Sequence, residues 1–69
     1  MEITYDKEAD AMYIEFFSGE FNKNKKIDDE TIIDLDKEGK ILGIEILNIS
    51  KRTPENFLSG ISFKNIACN

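Results

Sequence analysis

The chain has no histidine, no tryptophan, one proline and one cysteine among its 69 residues. The lone cysteine, Cys68, has no partner for an internal disulfide, which favours a reducing compartment. One thiolate without histidine is also too few ligands for a structural zinc site. The same lack leaves no convincing pair of nucleophile and base. We therefore expect no metal, no cofactor and no catalytic residue, so the protein is not expected to be an enzyme.

Long hydrophobic runs are also missing, because charged residues interrupt every apolar stretch within a few positions. No segment has the roughly 20 apolar residues of a membrane span, and none has the pattern of a signal peptide. Basic residues are in the minority, with 9 Lys and Arg against 14 Asp and Glu and a net charge of -5. Such a balance argues against direct nucleic-acid binding through phosphate contacts. These features predict a cytoplasmic protein with no direct nucleic-acid contact and no membrane contact.

The stretch DLDKEGKILGIE, residues 34–45, spaces its acids and its glycine nearly as a calcium-binding EF-hand loop does. An EF-hand loop needs a helix on each side. Here the flanking residues are β-branched and aliphatic and suit strands better. We therefore expect a β-hairpin over residues 31–47, with Gly39 in its turn.

The alternation of side chains predicts the length of that turn. A two-residue loop of Glu38 and Gly39 would pair Leu35 with Leu42 and would place the aliphatic residues of both strands on one side of the sheet. A three-residue loop would pair Leu35 with Ile41 and would send the aliphatic residues of the second strand to the opposite side. The alternation therefore favours the two-residue loop.

The other segments complete a small α+β fold in one domain, residues 1–69. Alternating patterns predict strands over residues 1–5 and 11–17 and a brief edge strand over 25–27. With the hairpin they would form an antiparallel sheet of about four strands, arranged as a meander. A short C-terminal helix is predicted over 53–60, because Thr53 suits an N-cap, Pro54 a first helical position and Gly60 a helix end. The tail from residue 61 is compatible with a final strand, a docked extension or a frayed end.

Four residues have predicted roles in turns or in local structure. Asp6 and Asp10 flank KEA between the first two strands, where their carboxylates would accept backbone amides. Gly39 lies in the hairpin turn. Gly43 lies inside a strand, which indicates a bulge or the close approach of another group, and Tyr13 is a candidate for that group.

Two blocks of the chain, YDKEADAMYIEF (5–16) and IDLDKEGKILGIEIL (33–47), resemble the characteristic segments of the family called domain of unknown function 2283. Its members start with tyrosine-aspartate-x-glutamate-alanine-aspartate and carry an aspartate-glycine turn before glycine-isoleucine-glutamate-isoleucine. Glu38 departs from the aspartate that precedes the turn glycine in the family. The resemblance implies a small β-rich domain with a C-terminal helix, and it implies no established activity.

The outward side of the predicted sheet is mixed in character and is not simply polar. Apolar side chains on this side would form an interaction face, because one wet side of a lone sheet should alternate more cleanly. The predicted interaction face comprises Tyr13, Phe17, Ile32, Ile41 and Leu47. A chain of this length buries only about 60% of its unfolded surface, so a partner chain is a plausible source of stability. A homodimer that packs sheet on sheet is the simplest expectation.

An acidic cluster of Asp34, Asp36 and Glu45 is predicted within the same face. Three interpretations remain open: the carboxylates lie at a wet rim, they bind a basic residue of a partner, or they bind a divalent cation. The expected function is that of a self-associating or protein-interaction module without catalytic activity. The alternative is an acidic, antitoxin-like partner that binds and masks a small basic protein.

Overall fold

The computed structural model describes residues 1–61 and 65–67, which form one sheet with two short helical segments. Its order is β3-β4-β5-β2-β1-β6, and adjacent strands are antiparallel except for the parallel pair β1 and β6. The predicted α+β class is confirmed, with six strands where about four were expected. The predicted meander is wrong, because the second strand pairs with the fifth and not with the third. The strands are β1 (Glu2–Asp6), β2 (Ala11–Glu15), β3 (Lys23–Asp28), β4 (Thr31–Leu35), β5 (Ile41–Leu47) and β6 (Asn65–Ala67). The helical segments are α1 (Ile49–Arg52) and a 3-10 helix (Leu58–Gly60).

The hairpin at residues 31–47 is formed by β4 and β5, as predicted, but its turn differs from the prediction. The Asp36 amide donates to the Lys40 carbonyl at 3.0 Å, which leaves a loop of three residues. Gly39 has φ of +84°, whereas Glu38 is not left-handed. A two-residue loop would have required a positive φ at Glu38, so the chain instead places glycine at the left-handed position. The two-residue loop was therefore the wrong choice.

A bulge after the turn restores the predicted register of the strands. Leu35 pairs with Ile41, and the next pair is Asp34 with Gly43, so Leu42 is an extra residue in β5. Beyond this bulge the predicted partners meet, because Ile33 pairs with Ile44 and Thr31 with Ile46. The alternation of aliphatic residues therefore determines the register even though the turn has another length.

One side of the sheet, which we call the inner side, contains most of the aliphatic residues. Cross-strand partners point to the same side, so the pairings assign its members. On β1, β2, β4 and β5 its apolar members are Ile3 and Tyr5, Met12 and Ile14, Ile33 and Leu35, and Ile44 and Ile46, in that order. Met12 and Leu42 are only 3% and 4% exposed, and Ile49 just after β5 is 3% exposed. These three residues are the buried core of the described chain.

The helix predicted over residues 53–60 is wrong in position, because α1 ends at Arg52, before the first residue of the predicted helix. Thr53 is extended, with φ of -132° and ψ of 163°, and its hydroxyl donates to the Ile49 carbonyl at 2.8 Å. A residue before proline is disfavoured in the helical region, so Pro54 makes Thr53 a helix end instead of a start. The residues after Pro54 form a turn and the 3-10 helix, and Phe57 is 37% exposed there.

Asp10 connects α1 to the turn between β1 and β2. Its carboxylate accepts the Ser50 hydroxyl at 2.7 Å, the Ser50 amide at 3.2 Å and the Tyr5 hydroxyl at 3.0 Å. These bonds, chiefly the one from the Ser50 side chain, lower the pKa of Asp10. The predicted role of Asp10 in its own turn is therefore corrected, because its carboxylate binds a residue 40 positions later in the chain.

Arg52 connects the other end of α1 to the turn between β3 and β4. Its guanidinium donates to the Glu30 carbonyl at 2.7 Å and to the Thr31 hydroxyl at 2.8 Å, and it lies 3.9 Å from an Asp28 oxygen. Together with Asp10, it ties α1 to both turns at this end of the sheet.

The C-terminal segment contributes β6, a three-residue edge strand parallel to β1. Parallel strands need a crossover connection, and residues 48–61, which follow β5, form the described part of it. Of the open interpretations of the tail, a final strand is therefore the one observed for residues 65–67. Cys68 lies outside the described residues.

The chain exposes 4978 Å² of surface. A monomer of 7.9 kDa is expected to expose about 4,400 Å².

Candidate functional site

The outer side of the sheet, opposite the inner side, is the candidate site and is called the outer face below. Its residues form a grid of three rows that cross the strands. The middle row runs across β1, β2, β5, β4 and β3 and consists of Thr4, Tyr13, Glu45, Ile32 and Lys26. In the same strand order, the row on one side of it consists of Glu2, Glu15, Gly43, Asp34 and Asn24. The row on its other side consists of Asp6, Ala11 and Leu47 of β1, β2 and β5.

Gly43 controls the position of the largest side chain on the outer face. A methyl group built on Gly43 would collide with the Tyr13 hydroxyl and would lie 2.6 Å from both Tyr13 Cζ and the Ile14 carbonyl oxygen. The Tyr13 ring therefore lies over Gly43, where a side chain would otherwise be. This is the close approach that an interior strand glycine indicates.

A pocket of about 230 Å³ opens on the outer face beside the Tyr13 ring. Because the Tyr13 ring lies over Gly43, the space above the small Ala11 side chain is left open on the outer face. Asp6 of β1 and Glu45 of β5 supply the carboxylates of its lining. The lining residues are Thr4, Asp6, Ala11, Met12, Tyr13, Glu45 and Leu47.

Electrostatics on the outer face are dominated by carboxylates around Tyr13. Burial raises the pKa of Glu45, and the neighbouring Asp34 carboxylate raises it further. Burial also raises the pKa of Tyr13, with contributions from Asp34, Glu15 and Glu45. Within the part of the chain that the structure describes, Asp34 Oδ1 is buried and has no hydrogen-bond partner. These groups therefore lack a compensating positive charge from their own strands.

The ion pairs of the described residues lie away from the carboxylates around Tyr13. Across residues 1–61, the ion pairs are Lys40 with Glu38 in the hairpin turn and Arg52 with Asp28 beside α1. Neither pair includes a carboxylate that surrounds Tyr13. Lys26 is the single lysine on the outer face of β1–β5, which also carries the carboxylates of Asp6, Glu15, Asp34 and Glu45.

The predicted interaction face is only partly assembled. The pairings place Tyr13, Ile32 and Leu47 on the outer face, but the bulge at Leu42 pairs Ile41 with Leu35 of the inner side. The assignment of Ile41 to the outer face is therefore wrong, because one extra residue reverses the alternation between Gly43 and the turn.

Phe17 also lies elsewhere, because β2 ends at Glu15. Its amide and that of Phe16 both donate to the Leu42 carbonyl, at 3.4 Å and 2.7 Å. Phe17 is 44% exposed at the hairpin-turn end of the sheet. We call the exposed apolar residues at this end the turn-end cluster; they are Phe16, Phe17, Phe21 and Ile41.

The predicted acidic cluster is reduced to two members. Asp34 and Glu45 are diagonal neighbours on the outer face, whereas Asp36 belongs to the hairpin turn. Asp36 Oδ1 accepts the Glu38 and Lys40 amides, both at 2.9 Å, so its carboxylate closes the turn. No group of three or more potential ligands for a metal ion is present among the described residues.

Asp6 has two structural relations. Its Oδ1 accepts the Glu8 and Ala9 amides at 3.1 Å and 3.2 Å, which closes the turn between β1 and β2. It also lines the pocket, as do Thr4 and Ala11. Sequence reasoning did not identify Thr4 and Ala11 as site residues, and it gave Asp6 a role in the turn alone. Alternation in β1 indicates the outward direction of Thr4 and Asp6, but the gap beside them depends on how Tyr13 leans.

The fold and this face define a small α+β protein built on one sheet, with carboxylates grouped on one side of the described strands. The chain belongs to the family described as "Protein of unknown function (DUF2283)", whose profile matches residues 2–50. The resemblance stated from the sequence is thereby confirmed, and the matched region contains the whole outer face of β1–β5. No curated protein and no solved structure matches the chain. In the described part of the chain, no helix has the length and apolar character needed to cross a bilayer.

Proposed function

We propose that this protein is a non-catalytic protein-interaction module that binds a basic partner protein through the outer face. The observation that carries the proposal is the uncovered pocket beside Tyr13, next to carboxylates that no basic residue of the described strands neutralises. Exposed concave surfaces with unbalanced charge are typical of interaction sites. Binding and masking a small basic protein is the finer form of this proposal.

Charge favours a basic partner over a second copy of the chain on this face. A twofold packing of the outer face on itself would bring Asp6, Glu15, Asp34 and Glu45 of one copy against the same carboxylates of the other, with one lysine per copy among them. Like charges that face each other across an interface cost several kcal/mol. A basic partner removes this repulsion and gains steering from the net charge of -5.

The pocket offers little support for catalysis. Its titratable groups are two carboxylates and one tyrosine, so the lining holds no histidine, cysteine or lysine that could act as a nucleophile or as its base. At about 230 Å³ it is smaller than most small-molecule sites, which begin at about 300 Å³. These properties suit a side chain of a partner better than a substrate.

The proposal is tested with two matched variants. Leu47→Arg places a bulky positive charge beside the pocket, whereas Phe21→Arg makes the same kind of change at a 56% exposed residue of the turn-end cluster. Tagged wild-type and variant proteins, shown to be folded by circular dichroism, are used to capture partners. A captured protein is then identified, purified and titrated by calorimetry.

A basic protein that binds the wild type and Phe21→Arg but not Leu47→Arg would support the proposal. Equal binding to Leu47→Arg, or capture of acidic proteins alone, would contradict it. Absence of any partner specific to the wild type would also count against it.

Self-association is the second candidate, and the turn-end cluster is the observation that favours it. Its phenylalanines are 41% to 56% exposed, although they lie at one end of the sheet. Size-exclusion chromatography with light scattering measures the mass directly. A dimer that Phe21→Arg splits, and Leu47→Arg does not, would support self-association at the turn end and leave the outer face free.

A further inference from the structure

We propose that the pocket on the outer face binds an arginine side chain of the partner, and this inference rests on the proposed function. The site consists of the floor at Ala11, the walls at Thr4, Tyr13 and Leu47, and the carboxylate of Glu45. Asp6 adds a second carboxylate from the opposite strand.

The dimensions of the pocket match one long side chain. A volume of about 230 Å³ accommodates a single residue but not a folded element or a nucleotide. Its floor lies on β2, and its two carboxylates come from β1 and β5, the strands on either side. Those strands are about 10 Å apart, since each neighbour lies about 4.8 Å away. An occupant that enters over Ala11 therefore has Asp6 on the β1 flank, while on the β5 side Leu47 lies beside it and Glu45 lies diagonal to it, next to Tyr13.

The lining combines an apolar floor with charged flanks, which is what a basic side chain requires. Long basic side chains bury their methylene stems against apolar surface and keep the charged head near oxygen atoms. Ala11 and Leu47 supply the apolar surface, and Glu45 supplies the oxygen atoms. Glu45 is close to Asp34, whose Oδ1 is buried without a partner, so a cation here offsets two carboxylates.

Arginine suits this lining better than lysine does. A guanidinium is planar, carries five donors and stacks on aromatic rings, whereas an ammonium is a strongly hydrated point charge. The Tyr13 ring forms one wall, and carboxylates on two strands can accept from different edges of one guanidinium.

Gly43 acquires a positioning role for the same site. Because it lacks a side chain, the Tyr13 ring lies over it and leaves the space above Ala11 open. A residue with a side chain at this position would push the ring back towards the pocket. Gly43 therefore acts on the occupant through Tyr13 and does not contact the occupant itself.

The test uses a probe that needs no knowledge of the natural partner. The ¹⁵N-labelled chain is titrated with N-acetyl-Gly-Arg-Gly-amide, and the amide shifts of Ala11, Tyr13 and Leu47 are followed by NMR. The same peptide with citrulline in place of arginine keeps the shape and removes the charge. A lysine peptide tests the choice of arginine.

Two glutamate variants separate the pocket from general attraction to an acidic protein. Glu45→Gln is nearly isosteric and removes the proposed carboxylate, whereas Glu38→Gln removes an equal charge in the exposed hairpin turn. We expect Glu45→Gln to weaken the arginine peptide about tenfold or more, because a charge-assisted bond is lost. Glu38→Gln should leave its affinity within about twofold, since exposed pairs contribute little.

Saturable shifts at the pocket that need both the arginine charge and Glu45 would support the inference. Shifts spread over all acidic surfaces, equal binding of the citrulline or lysine peptide, or equal affinity in both variants would overturn it. The peptide result is independent of partner capture. If a natural partner binds the wild type but not Leu47→Arg, and the arginine peptide does not bind the pocket, this inference alone is overturned. If the peptide binds the pocket but no natural partner is captured, the proposed function is the part that fails.

Discussion

Replacing Glu45 with glutamine should stabilise the isolated chain near neutral pH while it weakens partner binding. In the folded chain the Glu45 carboxylate is partly desolvated and lies diagonal to Asp34 across β4 and β5. Glutamine keeps the size and removes the charge. Its amide can also donate a hydrogen bond towards the unpartnered Asp34 Oδ1. A carboxylate that serves binding is expected to lower the stability of the isolated chain, because its charge is left uncompensated until the partner binds.

The size of the gain follows from the geometry of the pair. Diagonal cross-strand neighbours are about 7 Å apart, and two unit charges at that distance repel by roughly 2 kcal/mol at an effective dielectric constant near 20. The outer face is open to water, which screens the pair, so we expect about 1 kcal/mol. For a domain of this size, that is a rise in Tm of about 4–8 °C.

The pH dependence of this gain provides the sharper assay. The pKa of Glu45 is raised from 4.5, so the folded chain keeps its proton at a pH where the unfolded chain has lost it. The stability contribution of the neutral group is present below pH 4.5 and is lost as the pH rises through the higher folded value. Differential scanning calorimetry should therefore show the largest gain for Glu45→Gln near neutral pH and a shrinking gain towards pH 4.5.

Glu38→Gln is the matched control, because Glu38 lies in the exposed turn, 3.7 Å from Lys40. It should change Tm little at any pH. An unchanged or lowered Tm for Glu45→Gln at neutral pH would refute the reasoning. A gain that persists undiminished in acid would refute it as well, because the charge would then not be its source.

Two further substitutions test the packing and the polar contacts of the fold. Gly43→Ala should lower the free energy of unfolding in urea by about 2 kcal/mol, because its methyl group would lie 2.6 Å from a backbone carbonyl oxygen. Gly60→Ala is the control and should be nearly neutral, since nothing lies within 4 Å of that methyl group. Asp10→Asn should cost about 1 kcal/mol near neutral pH through the bonds from Ser50. Because the pKa of Asp10 is lowered, its contribution is present above pH 3.8 and fades below it, so urea midpoints of wild type and variant should converge in acid.

The alternation of aliphatic residues was enough to predict the central hairpin and its register. Ile33 faces Ile44 because a shift of one residue would move every aliphatic side chain of a strand to the other side. The turn was less predictable, because a three-residue loop followed by a bulge restores the same register as a two-residue loop. Because of the bulge, Ile41 pairs with Leu35 of the inner side and does not lie on the outer face.

The sequence predicted the side of the sheet to which most site residues point, but it did not predict the pocket. Parity assigned Tyr13, Leu47, Asp34 and Glu45 to one side of the sheet, and the pairings agree. The pocket required a further fact, that the Tyr13 ring lies over Gly43 and not over Ala11. That choice is made by contacts between strands, which no single segment encodes.

The sequence by itself determined the central hairpin, the sides of most residues in β1, β2, β4 and β5 and the excess of acidic residues, because alternation and charge are local properties. Tertiary structure alone decided that β2 pairs with β5, which brings residues more than 30 positions apart into one row. It also decided the position of α1, through the long-range bonds of Asp10 and Arg52 to its two ends. Such contacts depend on closing long loops, whose entropic cost grows only slowly with length, so local sequence carries little information about them.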